Sequence, residues 1–501
     1  MTLTDAFSII GSAFATNAAQ SAVVARNVAN AGVTGYSREV ANLVANPFGG
    51  ADIQSVTRVA NASLAEQVLS STSSAASQQA LANGLSTLAQ TVNDSASTSS
   101  TSGANANGTS PSAMLANLQN ALQTYEASPS NTSLGQAVVT AADSLTTSLN
   151  NGSATVQQVR EQADAGMATA VNTINSLLGQ FQSLNAQIVS GSQTGANVAP
   201  LQDQRDQLLQ QLSQQIGIST ATNPDGSLSI YTDSGVTLFQ GGVARTLSFT
   251  PTPTLTAGAN GNPVTVNGVP ITGPSAPMAI QSGALAGLAQ LRDTVAPQYQ
   301  AQLDQIAGGL VQAFSESDQS ATPTQPSLPG LFTFPGATSV PSLANVTGLA
   351  SVIEVNPNVD PSQGGNVNLL RDGGISSPGS STYTYNTTGS AGYTGRIQQL
   401  INGINATLSF DPTSGLAASQ SLSSYAGASV SWLQGQNQQA SNQADYQNAL
   451  ASQASSALSN ATGVNLDTEL TNMLTIENSY TTTAKLLTTA NAMFSALLNG
   501  V

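Results

Sequence analysis

At 501 residues the chain is long for one hydrophobic core, so two to four domains are expected. It holds no histidine and no cysteine, which removes imidazole acid–base chemistry, thiol nucleophiles, thiolate metal sites and disulfides. Twenty-five acidic against ten basic residues give a net charge of −15, which repels phosphate backbones and anionic lipid and makes nucleic acid and membrane surfaces poor partners.

No run of eighteen apolar residues suggests a membrane span. The opening MTLTDAFSII carries Asp5 where a secretion signal would be basic. Ser, Thr, Asn, Gln, Gly and Ala dominate, a balance common outside the cell, so export by a dedicated route without a cleaved signal peptide is expected. From there Leu3, Phe7, Ile10, Phe14, Val24 and Val28 recur at alternating spacings of four and three, with Asn17 and Ser21 as polar exceptions. Such a seam asks for a partner helix. NVANAGVTGYSRE, residues 27–39, then breaks it: Asn30 and Gly32 end the helix, Thr34 and Gly35 make a turn, and Tyr36 is delivered to a fixed place. Gly32 is read as a left-handed cap and Gly35 as the turn glycine. Residues 1–60 form this first unit.

Residues 61–216 read as a helical bundle. Leu64, Val68, Leu81, Leu85 and Leu88 mark one helix, and residues 95–110 a polar low-complexity loop. Pro111 opens a short helix, and a long helical region runs from Leu134 to Ile188, with Asn151 and Gly152 as an expected interruption. Residues 217–282 change to alternation around the Pro224, Asp225, Gly226 turn and read as a β insert. Helix returns over 283–319 with a kink expected at Pro297. Residues 320–414, rich in Pro, Gly, Ser and Thr, read as a second β-rich insert, and 415–462 as a helix of low apolar content. In 463–501 Leu466, Leu470, Met473, Tyr480, Ala484, Leu487, Phe494 and Leu498 keep one four-three alternation, interrupted by Glu477 and Asn491. The fold class is α+β and multidomain, with helical ends that meet in space.

An isolated helix of roughly 30 residues is marginal in water. Burying eight seam residues contributes on the order of 1.5 kcal/mol each before entropy is subtracted. The seams can be buried by pairing within the chain or by packing on neighbouring copies, and the pattern leaves both open. Asp203 and Asp206 flank Arg205 at helical spacing and read as solvated, locally paired charges; an acid–base pair would need a cleft and raised pKa values. Glu477 and Arg26 are candidates for a register-setting polar contact, with a solvent-facing position as the equal alternative. The glycines at 364–365 and 373–374 lack a strand-to-helix context for phosphate binding, and Trp432 reads as packing. No cofactor, metal or catalytic residue is expected.

NVANAGVTGYSR closely resembles the N-terminal signature of the flagellar rod, hook and hook-associated proteins, in which Asn, Thr, Gly and Tyr recur in this order. GVNLDTEL and TTAKLLTTANAMFSALL resemble the last helix of the same axial family. LQDQRDQLLQQLSQQIGIS with its PDG turn and LFQGG, and SGALAGLAQLRD, resemble the members that stand at the junction of hook and filament. The resemblance covers about half the chain. It implies a non-enzymatic structural adaptor between hook and filament, outside the cell. The terminal helices would form a coiled-coil-like inner layer, the bundle a second shell and the inserts the exterior. Implied partners are neighbouring copies, the hook protein, the second hook-associated protein and a cytoplasmic export chaperone at the last helix. A rod or hook protein, or a secreted adhesin-like surface protein, is the alternative reading.

Overall fold

The computed structural model describes residues 3–46, 49–92, 94 and 108–499, so most of the expected 95–110 loop lies outside the described residues. α1 (Leu3–Asn30) is followed by a hairpin of β1 (Glu39–Ala45) and β2 (Ala51–Arg58), paired from Glu39 with Arg58 to Ala45 with Ala51 and bulged after Asn42. Then come α2 (Ala62–Ala89), α3 (Pro111–Ala127), α4 (Thr132–Thr194) and α5 (Ala199–Gln215). Side chains start three of these helices: Asn61 accepts from the Leu64 N–H, Ser110 from Ala113 and Asn131 from Ser133. Gly195 closes α4 at a φ of 74°.

α4 has 63 residues, about 95 Å of unbroken helix. The expected interruption at Asn151 and Gly152 is absent. Gly152 is buried in the helix, where an added Cβ would stand 3.2 Å from Leu303. Its missing side chain admits a neighbouring helix and breaks nothing.

Residues 218–270 supply β3 (Ile218–Thr222), β4 (Leu228–Thr232), β5 (Thr237–Gln240) and β6 (Val243–Ala244) in one antiparallel sheet, and β7 (Leu247–Ser248), β8 (Thr265–Val266) and β9 (Val269–Pro270) in another. They pack on one half of α4, where Met167, Ile174 and Phe181 share a core with Ile230, Phe239 and Val264. The Phe181 and Phe239 rings meet edge to face at 5.0 Å.

α6 (Ala284–Gln290) passes through a π-helical turn, Leu291–Val295, into α7 (Ala296–Ala313). The irregularity expected at Pro297 falls in this turn just before it, and Pro297 occupies the first turn of α7, where a proline's missing N–H costs nothing.

Residues 320–414 are not β-rich. They contribute the two-residue strands β10 (Phe332–Thr333) and β11 (Glu354–Val355), α8 (Leu369–Asp372), α9 (Gly395–Asn405) and β12 (Thr407–Ser409), joined by turns; β12 pairs with β13 (Ser419–Ser421). Buried side chains hold this backbone in place of a sheet. Asp304 on α7 accepts from the Gly348 and Ala350 N–H groups at 2.8 and 2.9 Å, and Glu316 accepts from those of Ile375 and Ser376. Leu331, Phe332, Leu343, Ile375 and Leu400 join the core around Leu145, Leu149 and Leu303. Trp432 packs on it, partly buried.

α10 (Leu422–Thr462) begins after β13, seven residues later than the sequence suggests, and runs along α2. Ala440, Ala444 and Ala454 are among its buried residues, and such small side chains permit close approach. α11 (Leu466–Asn499) lies antiparallel to α1. The fold is α+β.

Candidate assembly interface

Where α1 stops, the chain turns twice through three-residue hydrogen bonds, Val33 N–H to Asn30 O at 2.9 Å and Tyr36 N–H to Val33 O at 3.2 Å. Gly32 therefore does not take the left-handed cap expected of it; successive turns turn the chain without it. Gly35 does need positive φ, at 81°, and an added Cβ would meet Gln207 at 3.0 Å. Gln207 itself donates to Thr34 O at 3.3 Å, and the Asn30 amide donates to Arg26 O at 2.9 Å.

The turn delivers Tyr36 to Asn27, its hydroxyl donating to Asn27 Oδ1 at 2.8 Å. Burial first, and then the Glu39 carboxylate, push the Tyr36 phenol up to about 12. Asn27 is 1 % exposed and fully engaged. Its Oδ1 also accepts from Glu39 N–H at 2.9 Å, and its Nδ2 donates to Glu39 O at 2.9 Å and to Glu469 Oε2 at 3.2 Å. Arg26 reaches Glu39 Oε2 from Nε at 2.9 Å and from Nη2 at 2.8 Å. Arg38 faces Glu469 at 3.9 Å, while its backbone N–H donates to Thr462 O at 2.8 Å. One buried polar hub thus fastens α1, the break, β1, the end of α10 and α11.

Within the chain Arg26 and Glu477 do not meet, and Glu477 takes the solvent-facing position, the equal alternative. Glu477 is exposed, Arg26 pairs with Glu39, and the buried acid of α11 is Glu469. Sequence reasoning passed over Glu469 because it stands off the apolar seam, and over Asn27 because nothing local marks a satisfied buried amide.

The α5 charges also differ from the expectation of solvated local pairs. Asp203 and Arg205 are buried, and the cation that serves the carboxylates is Arg58 of β2, 2.8 Å from Asp203 and 2.6 Å from Asp206. Ser37 N–H adds a bond to Asp203 at 3.3 Å. Burial raises the Asp203 pKa while Arg58 and Ser37 pull it down. Arg205 turns instead to Gly226 O at 3.1 Å, and burial lowers its pKa to about 10. Ser37, Arg58, Arg205 and Asp206 border a cleft of about 1260 Å³ between the break, β2, α5 and the end of α10. Two carboxylates converging on one guanidinium form a structural tie, with neither free to serve as a general base.

The seam of α1 is largely covered: Ile10 and Val24 are buried, Leu3, Phe7 and Phe14 half-buried, and Val28 exposed. Phe7 meets Phe494 at 6.4 Å and Phe14 meets Tyr480 at 4.9 Å, both edge to face. The seam of α11 behaves otherwise. The residues α11 buries are Glu469, Thr483 and Ala490, which share a seven-residue repeat with half-buried Ile476. Ala484 and Leu487 are half-buried, but Leu466, Leu470, Met473, Tyr480, Phe494 and Leu498 stay 44–62 % exposed. α11 shows α1 a small and polar stripe and turns most of its large apolar side chains outward. An exposed apolar face of that kind, interrupted by Glu477 and Asn491, is a candidate interaction surface.

Among known proteins, residues 102–330 match the family model of the flagellar hook-associated protein FlgK helical domain, and residues 455–500 that of the flagellar basal body rod FlgEFG protein C-terminal region. The chain is 28% identical over 209 residues to flagellar hook-associated protein 1 of Salmonella typhimurium, covering 41% of this chain and 37% of that protein. It is 27% identical over 200 residues to the protein of that name in Escherichia coli, covering 39% of this chain and 36% of the relative. The matched stretch therefore spans well under half the length of these relatives. The solved structure of the flagellar hook junction protein FlgK from Burkholderia pseudomallei is 22% identical, with a TM-score of 0.42 over 54% of this chain and 46% of that one. The two family models match separate parts of the chain, and both describe flagellar proteins. Within those proteins, residues 102–330 are similar to the helical domain of FlgK, and the curated relatives carry the name flagellar hook-associated protein 1.

Proposed function

We propose that the chain is a structural, non-catalytic subunit of the flagellum that joins hook to filament, coaxial with both. The observation that carries this reading is the outward apolar face of α11, Leu466 to Leu498, in a helix whose other side is already committed to α1. Burying Leu466, Leu470, Met473 and Leu498 on neighbouring copies supplies on the order of 1 kcal/mol each, since each is already about half covered. In this arrangement residues 1–60 and 463–501 form the inner, coiled-coil-like layer. The helices of 61–216, 283–319 and 415–462 form the next shell, and residues 217–282 and 320–414 face outward. The break at residues 30–36 sets the angle at which the chain leaves α1.

The partners under this reading are neighbouring copies, the hook protein, the second hook-associated protein and, before export, a cytoplasmic chaperone holding α11. The hook must bend and the filament must be stiff, so their contacts cannot be identical and an adaptor must offer one surface to each. Electron microscopy of cells lacking the gene tests it: complete hooks without filaments, and flagellin in the medium, are expected. Loss of the hook as well would point to a rod or hook protein, and intact rotating filaments would leave a surface adhesin.

A further inference from the structure

The apolar layers between α1 and α11 define their register only in part: a slide of seven residues costs Phe7 its ring contact with Phe494 but leaves Phe14 a large apolar partner. Sliding α11 by seven residues to put Leu487 opposite Phe14 replaces Tyr480 with another large apolar side chain, and the seven-residue repeat of α11 stays in phase. Two polar contacts do not tolerate the slide. Ser479 Oγ donates to buried Asn17 Oδ1 at 3.2 Å, and Asn27 Nδ2 donates to buried Glu469 at 3.2 Å. Their spacing is the same on both helices, ten residues, 17 to 27 on α1 and 469 to 479 on α11. A slide of seven residues one way sets Leu486 against Asn17 and Ile476 against Asn27. The opposite slide sets Asn472 against Asn17, but the place of Glu469 falls to Thr462, which belongs to α10.

Asn17 also leaves its Nδ2 without a partner among the described residues, so it is a poor residue for stability alone. We infer that Asn17–Ser479 and Asn27–Glu469 are a two-point register lock. It admits one antiparallel alignment of α1 with α11 and so fixes which apolar residues α11 presents outward. The connector 463–465 is short, so a slip unwinds the first two turns of α11, which are largely exposed. Asn17 and Ser479 are thereby positioning residues, a buried polar pair retained for alignment.

The chain contains no cysteine, so engineered pairs report alignment without background in the full-length protein. Phe14→Cys with Tyr480→Cys reports the observed register, and Phe14→Cys with Leu487→Cys the slipped one, each read as a cross-linked peptide by mass spectrometry. With both asparagines present, the 14–480 link is expected and the 14–487 link only at background. Asn17→Leu, which leaves the Asn27 hub intact, is expected to raise the 14–487 link at least tenfold, with Asn17→Leu and Asn27→Leu together raising it further. Asn17→Gln, restoring an amide, returns it toward background. The lock is overturned if both links form equally with both asparagines present, or if the 14–480 link alone persists in Asn17→Leu. Loss of both links in Asn17→Leu also overturns it, because Asn17 would then hold the pairing itself.

Discussion

Asn27→Ala is the substitution whose effect the structure defines most closely. It removes four hydrogen bonds at a site 1 % exposed, to Tyr36, to both backbone groups of Glu39 and to Glu469. Each neutral bond is worth about 1 kcal/mol net and the one to a carboxylate about 2 kcal/mol. Glu469 is left buried with Arg38 no nearer than 3.9 Å. The sum, discounted because water enters the vacated volume, is roughly 3–5 kcal/mol. The two cores around α4 do not include Asn27, so the loss should be confined to the docking of α11 and the hairpin. Hydrogen exchange read by mass spectrometry tests this. Backbone amides of α11 and β1 should exchange about a thousandfold faster, the factor that 4 kcal/mol represents, while those of α4 and α7 hold their rates. Unchanged exchange in α11 would refute the hub as the fastening, and uniform acceleration would refute its confinement. Tyr36→Phe, which removes one bond, should cost only about 1 kcal/mol in the same region.

Three further outcomes follow. Gly35→Val sets a β-branched side chain at φ +81° against Gln207 and should cost about 1–3 kcal/mol, read as a lower denaturant midpoint and poor incorporation into flagella despite secretion. Leu470→Asp on the outward face should change the free subunit's stability by no more than about 0.5 kcal/mol while abolishing motility; a large stability loss would mean the face is covered within the chain. Asp304 gives a pH signature: burial raises its pKa from 3.8 to about 6, against the pull of its hydrogen bonds from Gly348, Ala350 and Gln300. Because the folded value lies above the unfolded one, its contribution is fully present below pH 4 and lost as pH rises through about 6, a change of roughly 3 kcal/mol. Urea midpoints at pH 4 and 7 should therefore differ more in the native chain than in Asp304→Asn, and equal differences would remove the assignment.

The long helices were legible because their periodicity records the faces they bury, as Leu145, Leu149 and Ile174 do on α4. The β1–β2 hairpin was not, because burial in β1 follows contact with α1 and does not alternate, going from buried Glu39 to exposed Ala45, and β2 alternates only between exposed and half-buried positions. Residues 320–414 have the composition of sheets and of irregular chain alike, and what decides between them is Asp304 and Glu316 reaching in from elsewhere in the sequence. The break motif was visible as far as Gly35 and Tyr36, whose conformations are local needs. Asn27 and Glu469 were not, since they lie 442 residues apart and each becomes meaningful only beside the other. A heptad count gives spacing and not direction: the residues α11 buries, Glu469, Thr483 and Ala490, lie off the expected seam, and only packing shows that most of its large side chains stay exposed.

α4 carries a mechanical consequence. One of its halves anchors the core shared with residues 218–270, and the other the core that holds residues 320–414. With 63 residues and no break, it joins the two through a continuous ladder of backbone hydrogen bonds, with no loop between them to act as a hinge. A twisting load applied at one core is therefore handed to the other along a single shaft, whereas α1 is joined to the rest through three-residue turns and a hairpin.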